Sequence, residues 1–309
     1  MCVPTSTHIF ISTTMKHLAA IDIGSNATRL LVKQIDDPSL PYDPQVHPAT
    51  DKFVRFPIRL GVDVYGQGAI SVEKEKELVE AFRHFNLVMA VHKVTRCRAC
   101  ATAAFRAASN ADEVVSRIYD ATGIHIEIIS GEEEAGLVRN SYLAQHTQNA
   151  NNILYADVGG GSSDICLTVK GETRFIHSYP IGSMRQYSKE QADEILAEMH
   201  KDLGVLAQSY GPLHLVGAGG SIHKIGKIFS PEMSQGLVTL QSFEQTVGQM
   251  SELTIQQRME KFHLAFDRAE IIVAAARIFL HILQSVGASV IEAPSIGVRD
   301  GIIVQLSKL

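Results

Sequence analysis

The sequence predicts an α/β protein built from two similar domains, and three observations predict it. Strand-like and helix-like segments alternate through most of the 309 residues. Two stretches share one plan, Ala20-Ile21-Asp22-Ile23-Gly24-Ser25-Asn26 and Tyr155-Ala156-Asp157-Val158-Gly159-Gly160-Gly161-Ser162. In each, an apolar run ends in Asp, one apolar residue follows, and a glycine turn carries a hydroxyl before the chain turns apolar again. A third glycine loop, Gly217-Ala218-Gly219-Gly220-Ser221, follows the apolar run Leu213-His214-Leu215-Val216.

The first half reads as two strands around Gly24, then a third strand from Phe53 to Leu60. A helix follows, with Ser71 as N-cap, Glu73 and Glu75 in the first turn, and Leu78, Phe82, Phe85 and Met89 along one face. A strand over Val94 to Ala101 precedes short helices from Ala103 and Ala111, the second capped by Asn110. His125 to Ile129 is the last strand of this half. The second half repeats the rhythm: strands over Asn152 to Val158, Ser163 to Val169 and Thr173 to Tyr179, then a helix from Lys189 to about Gln208. The third glycine loop leads into a helix from Ile222. A long helix from Asp267 to about Ser285, a strand over Ala288 to Glu292 and a helix through Arg299 end the chain. The domain boundary is expected near Ser130-Gly131. That gives a polar leader over 1–16 (Met15 could be the natural start), an N-terminal domain over 17–130 and a C-terminal domain over 131–309.

Composition narrows the function. A formal net charge of -5 argues against a broad basic surface for nucleic acid. Apolar stretches such as Ile271 to Ala276 are too short to cross a bilayer, and the N-terminus lacks the pattern of a signal peptide. A soluble cytoplasmic protein with no nucleic-acid or membrane partner is the expectation. A local basic groove needs only a few residues, and Arg29, Lys52, Arg55, Arg59, Arg83, Arg96, Arg98 and Arg106 are candidates; for any one of them, solvated surface charge is the simpler explanation. The four cysteines form no disulfide framework. Cys97 and Cys100 are three apart on a predicted strand and so point to opposite faces, which rules out chelation by the pair and suggests buried structural thiols.

The glycine turns carry the chemistry. Successive backbone N–H groups in such a turn cradle an anion, and a carboxylate beside the cradle suits a divalent cation held with a phosphate. The third loop adds a helix N-terminus aimed at the same point. At the domain joint, Ser130-Gly131-Glu132-Glu133-Glu134-Ala135 ends a strand and opens a helix. Ser130 and Glu133 fit a capping box, and the helix dipole accounts for Glu132. Glu134 has no capping task and lies on another face; if the domains meet here it is the carboxylate best placed to face the cleft, though local pattern alone favours a structural role for it.

Taken in order and spacing, Asp22 to Asn26, Ser130 to Ala135, Asp157 to Ser162 and Gly217 to Ser221 resemble the exopolyphosphatase and guanosine pentaphosphate phosphohydrolase (Ppx/GppA) family. Ala103-Ala104-Phe105-Arg106 and Val298-Arg299-Asp300-Gly301 strengthen the likeness, which runs from about His17 to the C-terminus. The resemblance implies the ribonuclease-H-like, actin-like ATPase fold with a cleft between two domains. It implies Glu134 as catalytic base, Asp157 and Asp164 as the magnesium side, and Gly24, Ser25, Asn26, Gly160, Gly161, Ser162, Gly219, Gly220 and Ser221 as phosphate holders, with Arg106 adding positive charge. Three departures stand out. Gly136 occupies a position where the family often has Arg, and Asp164 one where Glu is frequent. The helical domain of larger members has no counterpart here, so weaker grip on long chains is expected.

The resemblance therefore implies a magnesium-dependent hydrolase that removes terminal phosphate from inorganic polyphosphate. Guanosine pentaphosphate presents the same bond to the same loops and is the close alternative. A non-hydrolytic alarmone-binding protein of this fold is a third reading, and a sugar kinase a fourth that lacks a sugar-binding segment. Core burial accounts for the apolar helix near Ile271 to Leu283; a homodimer through such helices is an alternative.

Overall fold

The computed structural model describes residues 16–35, 51–146, 152–231 and 236–309, so the expected leader lies outside the described residues apart from its last position. Two mixed sheets lie in two α/β halves. The first contains β1 (Lys16–Ile23), β2 (Thr28–Ile35), β3 (Lys52–Phe56), β4 (Val94–Ala101) and β5 (Ile126–Ile128), in the order β3-β2-β1-β4-β5. β1, β2 and β3 run antiparallel, whereas β4 and β5 run parallel to β1.

The second sheet contains β6 (Asn152–Val158), β7 (Ser163–Val169), β8 (Glu172–Tyr179), β9 (His214–Ala218), β10 (Leu237–Thr239) and β11 (Val290–Glu292). Its order is β10-β11-β9-β6-β7-β8. Read from β8, the first five strands repeat the plan of the first sheet: three antiparallel, then two parallel to β6. This doubled topology is the expected ribonuclease-H-like, actin-like fold.

Helices α1 (Leu60–Gln67), α2 (Val72–Val91), α3 (Ala103–Ala107) and α4 (Ala111–Thr122) belong to the first half. Ser71 caps α2 by accepting from Lys74 N at 3.2 Å, and Leu78, Phe82 and Phe85 are buried against the first sheet, each worth roughly 2 kcal/mol of apolar burial. Two expectations need correction here. The predicted strand to Leu60 stops at Phe56, because Pro57 interrupts it, and α1 begins where the strand was expected to end. Asn110 does not cap α4: its side-chain amide is engaged with the backbone N–H and C=O of Ile70.

The second half contains α6 (Lys189–Tyr210), α7 (Gly220–Phe229), α8 (Leu240–Ser251), α9 (Ile255–Phe262) and α10 (Phe266–Val286). By length and composition α10 would suffice to cross a bilayer, contrary to the reading from its apolar runs. Its apolarity is that of a core helix: Ile272, Ala275, Ala276, Phe279, Ile282 and Leu283 are buried within the second core. Between the sheets lie α5 (Gly131–Gln145) and the last helix, α11 (Val298–Ser307). Their shared core draws Leu18, Ala20 and Leu31 from the first sheet and Tyr155, Cys166 and Val216 from the second. This layer explains why β1 is buried on both faces from Leu18 onward. The contact is close, since a Cβ on Gly301 of α11 would lie 2.1 Å from the Leu137 carbonyl oxygen of α5.

Cys97 and Cys100 do point to opposite faces of β4. Cys100 is buried, but Cys97 is exposed, so the reading of both as buried thiols fails for Cys97: it lies in the stretch 95–97 of β4 that is exposed on both faces, while the strand is buried only from Ala99 onward.

Candidate active site

The two Asp-Gly turns are closed by the same hydrogen bond. Gly24 N donates to Ala27 O at 3.1 Å in the first, and Gly159 N donates to Ser162 O at 2.9 Å in the second. Their carboxylates differ in what stands opposite. Cross-strand pairing sets Asp22 against Arg29, whose Nη1 donates to Asp22 Oδ2 at 2.8 Å. The equivalent pairing sets Asp157 against Asp164. The first loop thus neutralises its own acid and the second does not. Burial, then the charges of Asp164 and Asp22, pushes Asp157 up to about 7.

Asp164 is also raised, to about 6, by burial, and its oxygens accept from two hydroxyls: Ser162 Oγ at 3.0 Å and Ser178 Oγ. The third loop passes directly over Asp157. Gly219 has φ +94° at the end of β9, and a Cβ there would sit 2.9 Å from Asp157 Oδ1, so glycine serves both the turn and the close approach. Gly220 and Ser221 then open α7 with its N-terminus toward the cleft.

Glu134 lies in the first turn of α5. Ser130 Oγ accepts from Glu133 N at 3.1 Å, which fixes the start of the helix, while the Glu133 side chain pairs with Arg98 rather than completing a capping box. Glu134, one residue on, turns inward and is buried. Arg106 of α3 meets it there: Nη1 donates to Glu134 Oε2 at 2.9 Å and to Ile129 O at 2.9 Å, and Nη2 reaches Ser162 Oγ at 3.4 Å. Burial and the Asp164 carboxylate drive the Glu134 pKa well up, opposed by Arg106. A carboxylate whose pKa is raised by burial and a neighbouring acid is a stronger base than an exposed one.

A cleft of about 1150 Å³ joins these parts; Glu134, Asp157, Asp22 and all three glycine loops line it. Of the basic candidates, Arg29 and Arg55 line it and Arg106 reaches it through Glu134. Arg59 pairs with Glu270, Arg83 with Glu80 and Arg98 with Glu127 and Glu133, while Lys52 and Arg96 are exposed. Asn26 donates to Asp267 Oδ2 at 3.1 Å, and Ser25 Oγ lies 2.7 Å from the Tyr65 hydroxyl. Two buried polar atoms at this corner, Asn26 Oδ1 and Arg55 Nε, have no partner among the described residues.

Sequence reasoning missed the basic residues that the second half contributes: Lys224 and Lys227 of α7, Arg268 of α10, and the cleft-lining position of Arg299. The spacing of His223, Lys224 and Lys227, directly after the third glycine loop, was the available signal.

The model of the Ppx/GppA phosphatase family matches residues 54–309. Exopolyphosphatase 1 of Mycobacterium bovis is 23% identical over 307 residues, covering 93% of this chain and 87% of that protein. A Ppx/GppA family member from Aquifex aeolicus has a similar structure, with a TM-score of 0.72 at 24% identity over 94% of this chain and 97% of that one. An exopolyphosphatase from Cytophaga hutchinsonii gives a TM-score of 0.79 at 20% identity, covering 94% and 98%. At these identities the structures speak for the fold, and the family match carries the assignment: the chain belongs to the Ppx/GppA phosphatase family and is a phosphoanhydride hydrolase.

Proposed function

We propose that the protein hydrolyses the terminal phosphoanhydride of inorganic polyphosphate and releases orthophosphate, with Glu134 as the general base. The observation that carries this reading is the buried, upshifted Glu134 carboxylate held by Arg106 Nη1 at the junction of the glycine loops. Glu134 takes a proton from the water that attacks the last phosphorus, and the bridging oxygen leaves with the shortened chain. Backbone N–H groups and hydroxyls of Gly24, Ser25, Asn26, Gly160, Gly161, Ser162, Gly219, Gly220 and Ser221 hold the phosphates in line. The unpartnered Arg55 Nε is a donor suited to a phosphate oxygen.

The donor set fits Mg2+. That ion is commonly held by one or two carboxylates together with substrate oxygens and water. Asp157, set opposite Asp164 and faced by Asp22, offers such a carboxylate; among the described residues no three His, Cys, Asp or Glu side chains form a complete metal cage. Asp157 would bind the ion directly, and Asp164 would hold Ser162 and complete the acidic side. When bound, the cation would neutralise charge on non-bridging oxygens.

A second reading, hydrolysis of guanosine pentaphosphate, is favoured by Phe53. This half-exposed ring lines the cleft with the Arg299 guanidinium 5.1 Å from its centroid, a surface on which a base could stack. Orthophosphate release measured side by side on long polyphosphate, short polyphosphate and guanosine pentaphosphate, each with Mg2+, tests both. Release from polyphosphate is expected to dominate. No release from any of the three would overturn the hydrolytic reading and leave a binding protein.

A further inference from the structure

Next to Glu134 the two halves of the chain touch across residues that line the cleft. Ser25, Ala103, Gly160 and Gly161 line it there, and behind them stand Tyr65 of α1 and Arg185 in the loop after β8. The Tyr65 hydroxyl lies 2.7 Å from Ser25 Oγ. A Cβ on Gly161 would fall 1.6 Å from that hydroxyl and 2.9 Å from the Ala103 Cβ, and one on Gly160 would fall 2.8 Å from the Ser25 Cβ. The two halves therefore meet at this point with no room for even a methyl group. Arg185 backs the contact from the second half: Nη1 donates to Gly161 O at 3.3 Å, and the guanidinium lies 5.2 Å from the Tyr65 ring centroid and 5.6 Å from that of Tyr187.

We propose that Tyr65 and Arg185 form an end wall that confines cleavage to chain termini. This rests on the polyphosphate-hydrolase reading. A chain able to pass Glu134 in both directions would offer any internal phosphorus to the attacking water; a chain stopped by the wall offers only its last. The bonds exchanged are the same in both cases. The water oxygen bonds to phosphorus, one water proton goes to Glu134, and the bridging P–O bond breaks with its oxygen leaving on the departing fragment. Tyr65 and Arg185 decide which phosphorus stands at that point, and so act as specificity residues rather than catalytic ones.

The test uses two polymers with Mg2+: long polyphosphate with free ends, and the same polymer with both termini blocked as phosphoramidates. Wild type, Tyr65→Ala, Arg185→Ala and the double variant are compared by orthophosphate release and by the ladder of chain lengths. Wild type is expected to release orthophosphate from free ends and to leave blocked chains intact. The double variant is expected to cut blocked chains to intermediate lengths at least about tenfold faster than wild type, the scale on which pocket shape discriminates. Tyr65→Phe keeps the ring and is expected to remain specific for ends.

Blocked chains cut by wild type, or folded alanine variants that still cut only at ends, would overturn the wall. So would a folded double variant inactive on both polymers. If Tyr65→Ala does not fold, Arg185→Ala, in a half-buried loop residue, decides by the same criterion. Failure of wild type to release orthophosphate from free ends would instead remove the hydrolase reading, so the two failures are distinguishable.

Discussion

Arg106 Nη1 donates to Glu134 Oε2 and to the Ile129 carbonyl, each at 2.9 Å, so the cation that partners the buried carboxylate is itself fixed to the strand end preceding α5. Geometry and electrostatics are thereby tied to one guanidinium. Without it, Glu134 would keep the burial and the Asp164 charge that raise its pKa and lose the charge that lowers it.

Arg106→Ala should therefore move the acidic limb of the rate profile to higher pH, because the base must lose its proton to act. A kcat/KM loss of about 10²-fold to 10³-fold is expected, as for removal of one positioned donor. Arg106→Lys should recover part of the rate and most of the limb. A pH profile unchanged in Arg106→Ala would sever the link between the two residues.

The metal-free protein should lose stability as pH rises. Asp157 sits at about 7 when folded against an ordinary 3.8, so between those values the folded chain holds a proton that the unfolded chain has released. The contribution is complete below about pH 4 and disappears as pH climbs through about 7, at about 1.4 kcal/mol for each pH unit between the two values. Denaturation in EDTA at pH 5 and pH 8, compared with Asp157→Asn, isolates it. The variant should be less sensitive to the change, and Mg2+ should stabilise wild type more at pH 8 than at pH 5. Equal pH responses in variant and wild type would refute a raised Asp157 pKa.

Two glycines in the central helix layer should respond oppositely to alanine. At Gly301 the new Cβ meets the Leu137 backbone carbonyl, which cannot swing aside, and a loss of about 1–3 kcal/mol is expected. At Gly136 of α5 nothing lies within 4 Å, so Gly136→Ala should gain up to about 1 kcal/mol from helix propensity. Thermal melts of the two variants check this; similar changes in both would contradict the close α5–α11 contact.

What could be read in the sequence was local. The turns at Gly24 and Gly159 each occupy a few consecutive residues, and the strands around Gly159 match expectation at both ends of each. Glu134 was not legible from local pattern, which offered it no capping task; the family resemblance pointed to it, and only the packing of α5 between the sheets turns it inward. α1 was not legible: it contains Gly61 and Gly66, follows Arg59 in a left-handed conformation, and forms because Leu60 and Val64 enter the core. α9 did have a signal that went unread, the capping box of Thr254 and Gln257. Part of the basic side of the cleft was hidden for another reason: Arg268 and Arg299 become neighbours of Arg55 and Lys224 at one cavity only through tertiary folding.

The proposed chemistry stands or falls with Glu134 as the group that activates the attacking water, and Glu134→Gln removes that capacity while keeping the side chain's shape. The measurement is single-turnover orthophosphate release from polyphosphate with Mg2+ across a pH series, alongside binding of the same polymer. A rate loss of about 10²-fold to 10⁴-fold is expected, with the acidic limb abolished and binding retained. A Glu134→Gln protein that turns over at the wild-type rate, with the wild-type limb, would show that another group takes the proton.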